Sequence, residues 1–206
     1  LGIDNSKHVV IVYGGVSSLD FGSAARVYWT FKTIGHENVS ILNGGFKGWK
    51  NSGNKVVSGE NNLSPAKFKT RLNKKYYASF SEVQKAQKGK GSQCLIDARP
   101  AAFFAGDKKH AKARIPGRLA NARNLQEGNL IDGGFKIKSS SEIKSQFGGL
   151  EGVEKYKGYI SYCNTGHWAA TVWFGLSEIA QIPNVKMYDG GMTHWTYDPK
   201  RKVDLS

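Results

Sequence analysis

The chain has 206 residues, 39% hydrophobic, 22% charged and 12% aromatic, a folded globular composition that excludes disorder. No run approaches the roughly eighteen apolar residues of a membrane-spanning helix. Thirty Lys plus Arg against sixteen Asp plus Glu leave a formal charge of +14, a field that draws anionic partners. Neither Cys/His finger spacing nor an aromatic RNA-binding signature is present, so a basic nucleic-acid-binding protein stays only as an alternative that salt-dependent binding would reveal. The basic residues are scattered over loops, as in Lys67–Lys75 and Lys108–Arg114, and a small anionic substrate fits the charge equally well. Two cysteines, Cys94 and Cys163, are too few for a disulfide framework, and the five histidines lack metal-ligand spacing. The chain opens at Leu1 with no basic-then-apolar leader, which points to a processed protein or part of a longer one.

In chain order, an apolar strand is predicted at Val9–Tyr13, followed by a long loop, Gly14–Ala24. A helix follows, with Ala24, Val27, Tyr28, Phe31 and Ile34 at helical spacing. Residues 38–49 then read NVSILNGGFKGW. The stretch Ser52–Lys75 is polar, carries Pro65 and reads as a linker. A Ser81-x-x-Gln84 capping box opens the next helix, and Cys94–Arg99 (CLIDAR) forms a strand before the basic loop. A short helix begins at a Ser139-x-x-Glu142 capping box, buries Ile143 and Phe147, and ends at Gly148-Gly149. Strand Tyr159–Tyr162 leads into Cys163, then a helix with Trp168, Val172, Leu176 and Ile179 on one face.

Residues 184–195 read NVKMYDGGMTHW and repeat the earlier segment at a constant offset of 146 positions. Each copy is a strand, a loop, a helix, a strand and a Gly-Gly turn, which implies α/β architecture with parallel sheets. Cys163 follows the strand in the second copy, and Gly14 takes its place in the first, suggesting one active and one inactive half. Only about a dozen residues precede that point in copy one, so its sheet, and the side chains Tyr28, Trp29 and Phe31, are expected to need a covering surface from another polypeptide or another copy.

In Tyr162-Cys163-Asn164-Thr165-Gly166-His167-Trp168 a strand ends, a thiol follows, a glycine permits a tight bend and a helix begins. Ligands of open α/β sheets bind beyond the carboxyl ends of the strands. Convergent loop N–H groups and the helix N-terminus are expected to favour a thiolate and lower the Cys163 pKa. Cys94, inside an apolar strand, reads as an inert buried thiol. A cysteine phosphatase needs Arg six residues after the thiol, and that position is Ala169, so phosphate-ester chemistry is disfavoured. His167 and Trp168 either serve the pocket or, for Trp168, begin the helix core. Asp189 is read as turn chemistry and Trp195 as structural.

Four segments, CNTGHWAA (163–170), LIDARPAAFFAG (95–106), Arg26–Trp49 and Asn184–Pro199, make the sequence resemble tandem-domain sulfurtransferases of the rhodanese superfamily. The resemblance implies two rhodanese-like α/β domains: residues 1–55 the C-terminal part of an inactive one, 56–75 a linker, and 76–206 the catalytic one. It implies transfer of a sulfane sulfur from a small anionic donor such as thiosulfate, through a Cys163 persulfide, to cyanide or a thiol, without metal or organic cofactor. A non-catalytic persulfide carrier is the alternative. Asn164, Thr165, Gly166, His167 and Trp168 of the loop, with Arg99 and Arg118, are the implied substrate-binding residues, Arg99 with a structural salt bridge as its competing role. Asn164 and Thr165 are neutral, and Phe103 stands where mercaptopyruvate-using relatives carry Arg, so neither donor is singled out. Relatives with this loop are often exported, which suggests a bacterial periplasm, with the cytoplasm as alternative. Neither a nucleic acid nor a membrane is expected as partner, but a complementary fragment completing the first domain is.

Overall fold

The computed structural model describes residues 2–205. Parallel strands form two sheets. The larger has the order β4-β3-β5-β6, from β3 (Gln93–Asp97), β4 (Arg123–Asn124), β5 (Gly158–Tyr162) and β6 (Val185–Met187). The smaller pairs β1 (Val9–Ile11) with β2 (Val39–Ile41). Every residue of β5 is buried, as expected for an interior parallel strand covered on both faces.

Helix α1 (Ser18–Thr33) joins β1 to β2. Its N-cap Ser17 accepts the Asp20 N–H at 3.1 Å. The buried face is Phe21, Gly22, Ala24, Ala25, Tyr28 and Trp29, whereas Val27, placed inward by periodicity, is exposed. The reason is α6 (His167–Phe174), which is buried throughout from Ala169 and packs along α1. Phe174 meets Phe21 and Tyr28 edge-on at 5.8 and 4.9 Å, and Tyr28 also meets Trp173 at 6.1 Å. Trp173 is fully buried, and an aromatic of this kind contributes about 3–5 kcal/mol to stability. The expected outside cover for Tyr28 and Trp29 is thus found within the chain, and Phe31 lies against His36 and Phe68.

Helix α2 (Gly45–Asn51) follows β2, and α3 (Phe80–Gln87) precedes β3. The capping box of α3 is Ser79 with Glu82, two residues before the predicted Ser81–Gln84 pair, because a glutamate reaches back to the Ser79 N–H at 2.8 Å. Helix α4 (Ala101–Ala105) follows β3, α5 (Ser140–Gly148) carries the predicted Ser139–Glu142 box, and α7 (Gly191–Trp195) closes the second repeat. Beyond Phe174 the α6 ladder widens into a π turn over Gly175–Ile179, in which the Ala180 N–H reaches Gly175 O at 2.8 Å. That turn aims Glu178 at α1, where it accepts the Tyr28 hydroxyl at 2.8 Å. Residues 54–72 contain neither helix nor strand. They run as a strap, tied by Asn5 to Lys69 and by the Arg71 N–H to Ile34 O.

The repeat is visible in hydrogen bonds. Val9 pairs with Val39, and Tyr159 with Val185. Val39 and Val185 are the echoed residues, so Val9 corresponds to Tyr159, and four residues on Tyr13 corresponds to Cys163. The next bonds agree: Phe46 N–H to Tyr13 O, and Met192 N–H to Cys163 O. Tyr13, not the expected Gly14, therefore replaces the thiol. Its hydroxyl donates to Phe135 O and accepts from the Gly44 N–H, and the Asp20 carboxylate takes the Gly15 and Val16 N–H groups.

Candidate active site

Cys163 is the first residue beyond β5 and is 1% exposed. Gly166 caps α6 at φ +99°, which aims its N–H at Cys163 Sγ, 3.0 Å away. The loop is held from its far side by the first turn of α7, where Met192 N–H donates to Cys163 O at 2.8 Å and Thr193 N–H to Asn164 O at 3.3 Å. Above the sulfur opens a cavity of about 250 Å³. Asn164, Thr165, His167 and Trp168 line it from the cysteine loop, His110 from the basic loop, and Leu19 and Ser23 from α1.

The predicted loop residues therefore come together around the thiol. Asn164 is 2% exposed, and both its amide nitrogen and its oxygen lack a protein partner. Such a group is costly to bury unless a ligand or water completes it. Trp168 meets Phe103 edge-on at 5.8 Å. The two predicted arginines do not line the cavity. Arg99 is buried in a bidentate pair with Asp97, at 2.6 Å between Nη2 and Oδ2, and also donates to Gly117 O. Arg118 pairs its backbone with Asp204, donates to Phe104 O and covers the Phe104 ring at 4.6 Å. Among the described residues, no Lys or Arg lines the cavity. Leu19, Ser23 and His110 carry no sequence signal for the site: the first two lie on a helix far away in sequence, and the third sits in a lysine-rich loop.

The electrostatics run against the expected depressed thiol. Burial pushes the Cys163 pKa up, the N–H groups of Ala169, Gly166 and Thr165 pull it down, and Asp97 raises it again; the net direction is upward. Complete withdrawal from water outweighs the amide dipoles, so the free protein holds mainly the thiol at neutral pH. His167 is pushed down by burial and by Arg26 against an opposing pull from Asp189, and its imidazole is neutral at pH 7. Cys94, on β3, is pushed up to about 11 by burial.

A buried thiol thus sits at a strand-to-helix turn, contacted by a loop amide under a small cavity. The Rhodanese-like domain family matches residues 79–198. The chain is 32% identical over 196 residues to 3-mercaptopyruvate sulfurtransferase of Escherichia coli, covering 95% of this chain and 67% of that protein. It is also 32% identical over 200 residues to thiosulfate sulfurtransferase of Bos taurus, covering 95% and 65%. The crystal structure of the Escherichia coli 3-mercaptopyruvate sulfotransferase SseA superposes with a TM-score of 0.78 at 32% identity, over 92% of this chain and 68% of that one. The anaerobic ergothioneine biosynthesis enzyme of Chlorobium limicola shares the fold, with a TM-score of 0.85 at 19% identity, and this chain spans 52% of its length. The chain belongs to the rhodanese-like family.

Proposed function

We propose that this protein is a sulfurtransferase that moves a sulfane sulfur through a persulfide on Cys163. The observation that carries the reading is Sγ beneath a 250 Å³ cavity with the Gly166 N–H 3.0 Å away. Cys163 reacts as the minor thiolate form, its proton released to solvent, and attacks the outer sulfur of thiosulfate. The S–S bond breaks, sulfite leaves with its electron pair, and Sγ holds the new sulfur as a persulfide anion. With 3-mercaptopyruvate the C–S bond breaks instead, and the departing carbon takes the pair and a proton. Cyanide or a thiol then removes the outer sulfur and regenerates the thiolate. The Asn164 amide and the imidazoles of His110 and His167 supply polar contacts for the donor, Trp168 and Leu19 the apolar wall, and Arg99 holds Asp97 at the base of the site. A sulfur buried under a cavity this small favours turnover of small molecules over the alternative role as a carrier docking with a protein. The test is steady-state transfer from each donor to cyanide, with mass spectrometry of the protein after donor alone. Multiple turnovers and a gain of one sulfur atom on Cys163 are expected; a single loading without turnover would favour the carrier.

We further propose that polypeptide outside this chain covers the open face of the first unit. Val10 and Val12 are 52% and 53% exposed, and Phe46, Trp49, Val56 and Val57 border the same apolar hollow of about 430 Å³. Denaturing mass analysis of native material is expected to find a longer chain or a companion fragment; this chain alone, as a stable monomer, would refute the proposal.

A further inference from the structure

Arg26 belongs to α1, in the unit that lacks a thiol, yet it reaches the cysteine loop. Its Nη2 forms an ion pair with Asp189 Oδ1, and its guanidinium lies over the Trp29 ring at 5.1 Å. One turn earlier, Gly22 brings α1 against the start of α6: a Cβ there would lie 3.1 Å from His167 O and 3.2 Å from Thr171 Oγ1. At Gly166 the contact is tighter still, because a Cβ on that residue would overlap Arg26 Nη1 and sit 3.2 Å from Asp189 Oδ1. The guanidinium and its carboxylate thus fill the volume behind the glycine whose N–H faces Sγ. Nη1 is buried without a hydrogen-bond partner, so shape and the Asp189 pair, rather than a full set of hydrogen bonds, hold it there. Asp189 lies in the turn between β6 and α7, just before the first turn of α7 whose Met192 and Thr193 N–H groups hold the other side of the loop.

We propose that Arg26 is a positioning residue for sulfur transfer: with Asp189 it wedges the apex of the cysteine loop at Gly166, so that the non-catalytic unit sets the reactivity of Cys163. The assignment rests on the sulfurtransferase reading above. Two groups report on the wedge. The first is Cys163, faced by the loop amides, by Asp97 of β3 and by Arg99 paired with that carboxylate. The second is His167, faced by Arg26 of α1 and Asp189 of the turn, with His110 across the cavity. Removing the guanidinium frees the Gly166 N–H to drift from Sγ and lifts a positive charge from beside the imidazole.

The test compares Arg26→Gln and Arg26→Lys in the full chain. Three quantities are read: kcat and KM for sulfur transfer, the pH midpoint of Cys163 alkylation by iodoacetamide, and the His167 titration by NMR. Arg26→Gln is expected to lower kcat by about tenfold to a hundredfold, the scale for a misplaced reacting group, with a smaller change in KM. It should shift the alkylation midpoint upward and the His167 midpoint upward. Arg26→Lys keeps the charge but not the planar fork, so His167 is expected to titrate near its original midpoint while kcat recovers only in part. Thermal unfolding of each variant separates loss of fold from loss of position. If transfer falls only with the folded fraction, and both midpoints stay put, Arg26 is merely structural and the proposal is overturned. The alkylation and NMR readouts need no sulfur transfer. Shifted midpoints in a protein without turnover would therefore refute the sulfurtransferase reading and leave the wedge standing as a property of the loop.

Discussion

Cys163→Ser is expected to abolish sulfur transfer, with kcat down by about three orders of magnitude or more, while Cys94→Ser keeps most of it. The two thiols are both buried, so exposure does not separate them. Placement does. Cys163 sits under the cavity with an amide N–H on its sulfur, whereas Cys94 lies within β3, its sulfur 3.6 Å from the neighbouring Leu95 carbonyl. A serine hydroxyl fits either position but forms no persulfide. Equal loss in both variants, measured as thiocyanate formation with fold monitored by circular dichroism, would sink the single-nucleophile scheme. The same logic fixes the pH dependence. The native thiol titrates above its ordinary range, so the thiolate, and with it alkylation of the free enzyme, is expected to keep rising with pH past the ~8.5 at which a free cysteine is half ionised. A plateau below that value would show that the loop amides overcome burial after all.

Gly191→Ala is expected to cost stability and activity together. The residue sits at φ +55°, and a Cβ would lie 2.5 Å from both Cys163 O and Asn164 O, backbone atoms that cannot swing aside. The left-handed strain alone is worth about 1–3 kcal/mol, and relief of the overlap must push the cysteine loop away from the turn that holds it. Gly48→Ala makes the comparison: it lies in α2 with nothing within 4 Å of the new carbon, so it should be neutral or slightly stabilising. Denaturant midpoints for the two variants, with transfer assays on the folded fraction, decide the matter. A Gly191→Ala protein as stable and active as the parent would mean that the loop yields more easily than its hydrogen bonds indicate.

Much of this site is legible in the residues because it is local. A strand, a thiol, a glycine three positions on and an apolar helix lie within a dozen residues, and the Gly-Gly echo exposes the duplication. What escapes is what depends on distance or on a one-residue register. The replacement of Cys163 by Tyr13 is invisible until the pairing of Val9 with Val39 is known, because the adjoining glycines make Gly14 look equivalent. Val27 has the right spacing for the α1 core, but α6 approaches from the side of Phe21, Gly22 and Tyr28. Arg99 and Arg118 attract attention as charges near a thiol, yet carboxylate and backbone partners already engage them. Arg26, whose neighbours are small and aromatic residues, carries no mark of its reach to Gly166. The direction of the Cys163 shift depends on how completely the fold removes water, and a motif does not encode that.

The packing of α1 on α6 has a consequence for how the chain reaches its native state. The Tyr28 hydroxyl and the Glu178 carboxylate it binds are 150 positions apart. Closing a loop of that length costs entropy before the contact returns any stabilisation. Contacts of this range are the ones that slow folding, so local pieces such as α5 with its capping box form early and the α1–α6 seam late. The cavity borrows Leu19 and Ser23 from one side of that seam and Cys163 from the other. The thiol therefore acquires its finished pocket only at the last stage of assembly, and a nascent or partly unfolded chain exposes a reactive sulfur without the walls that select its partner.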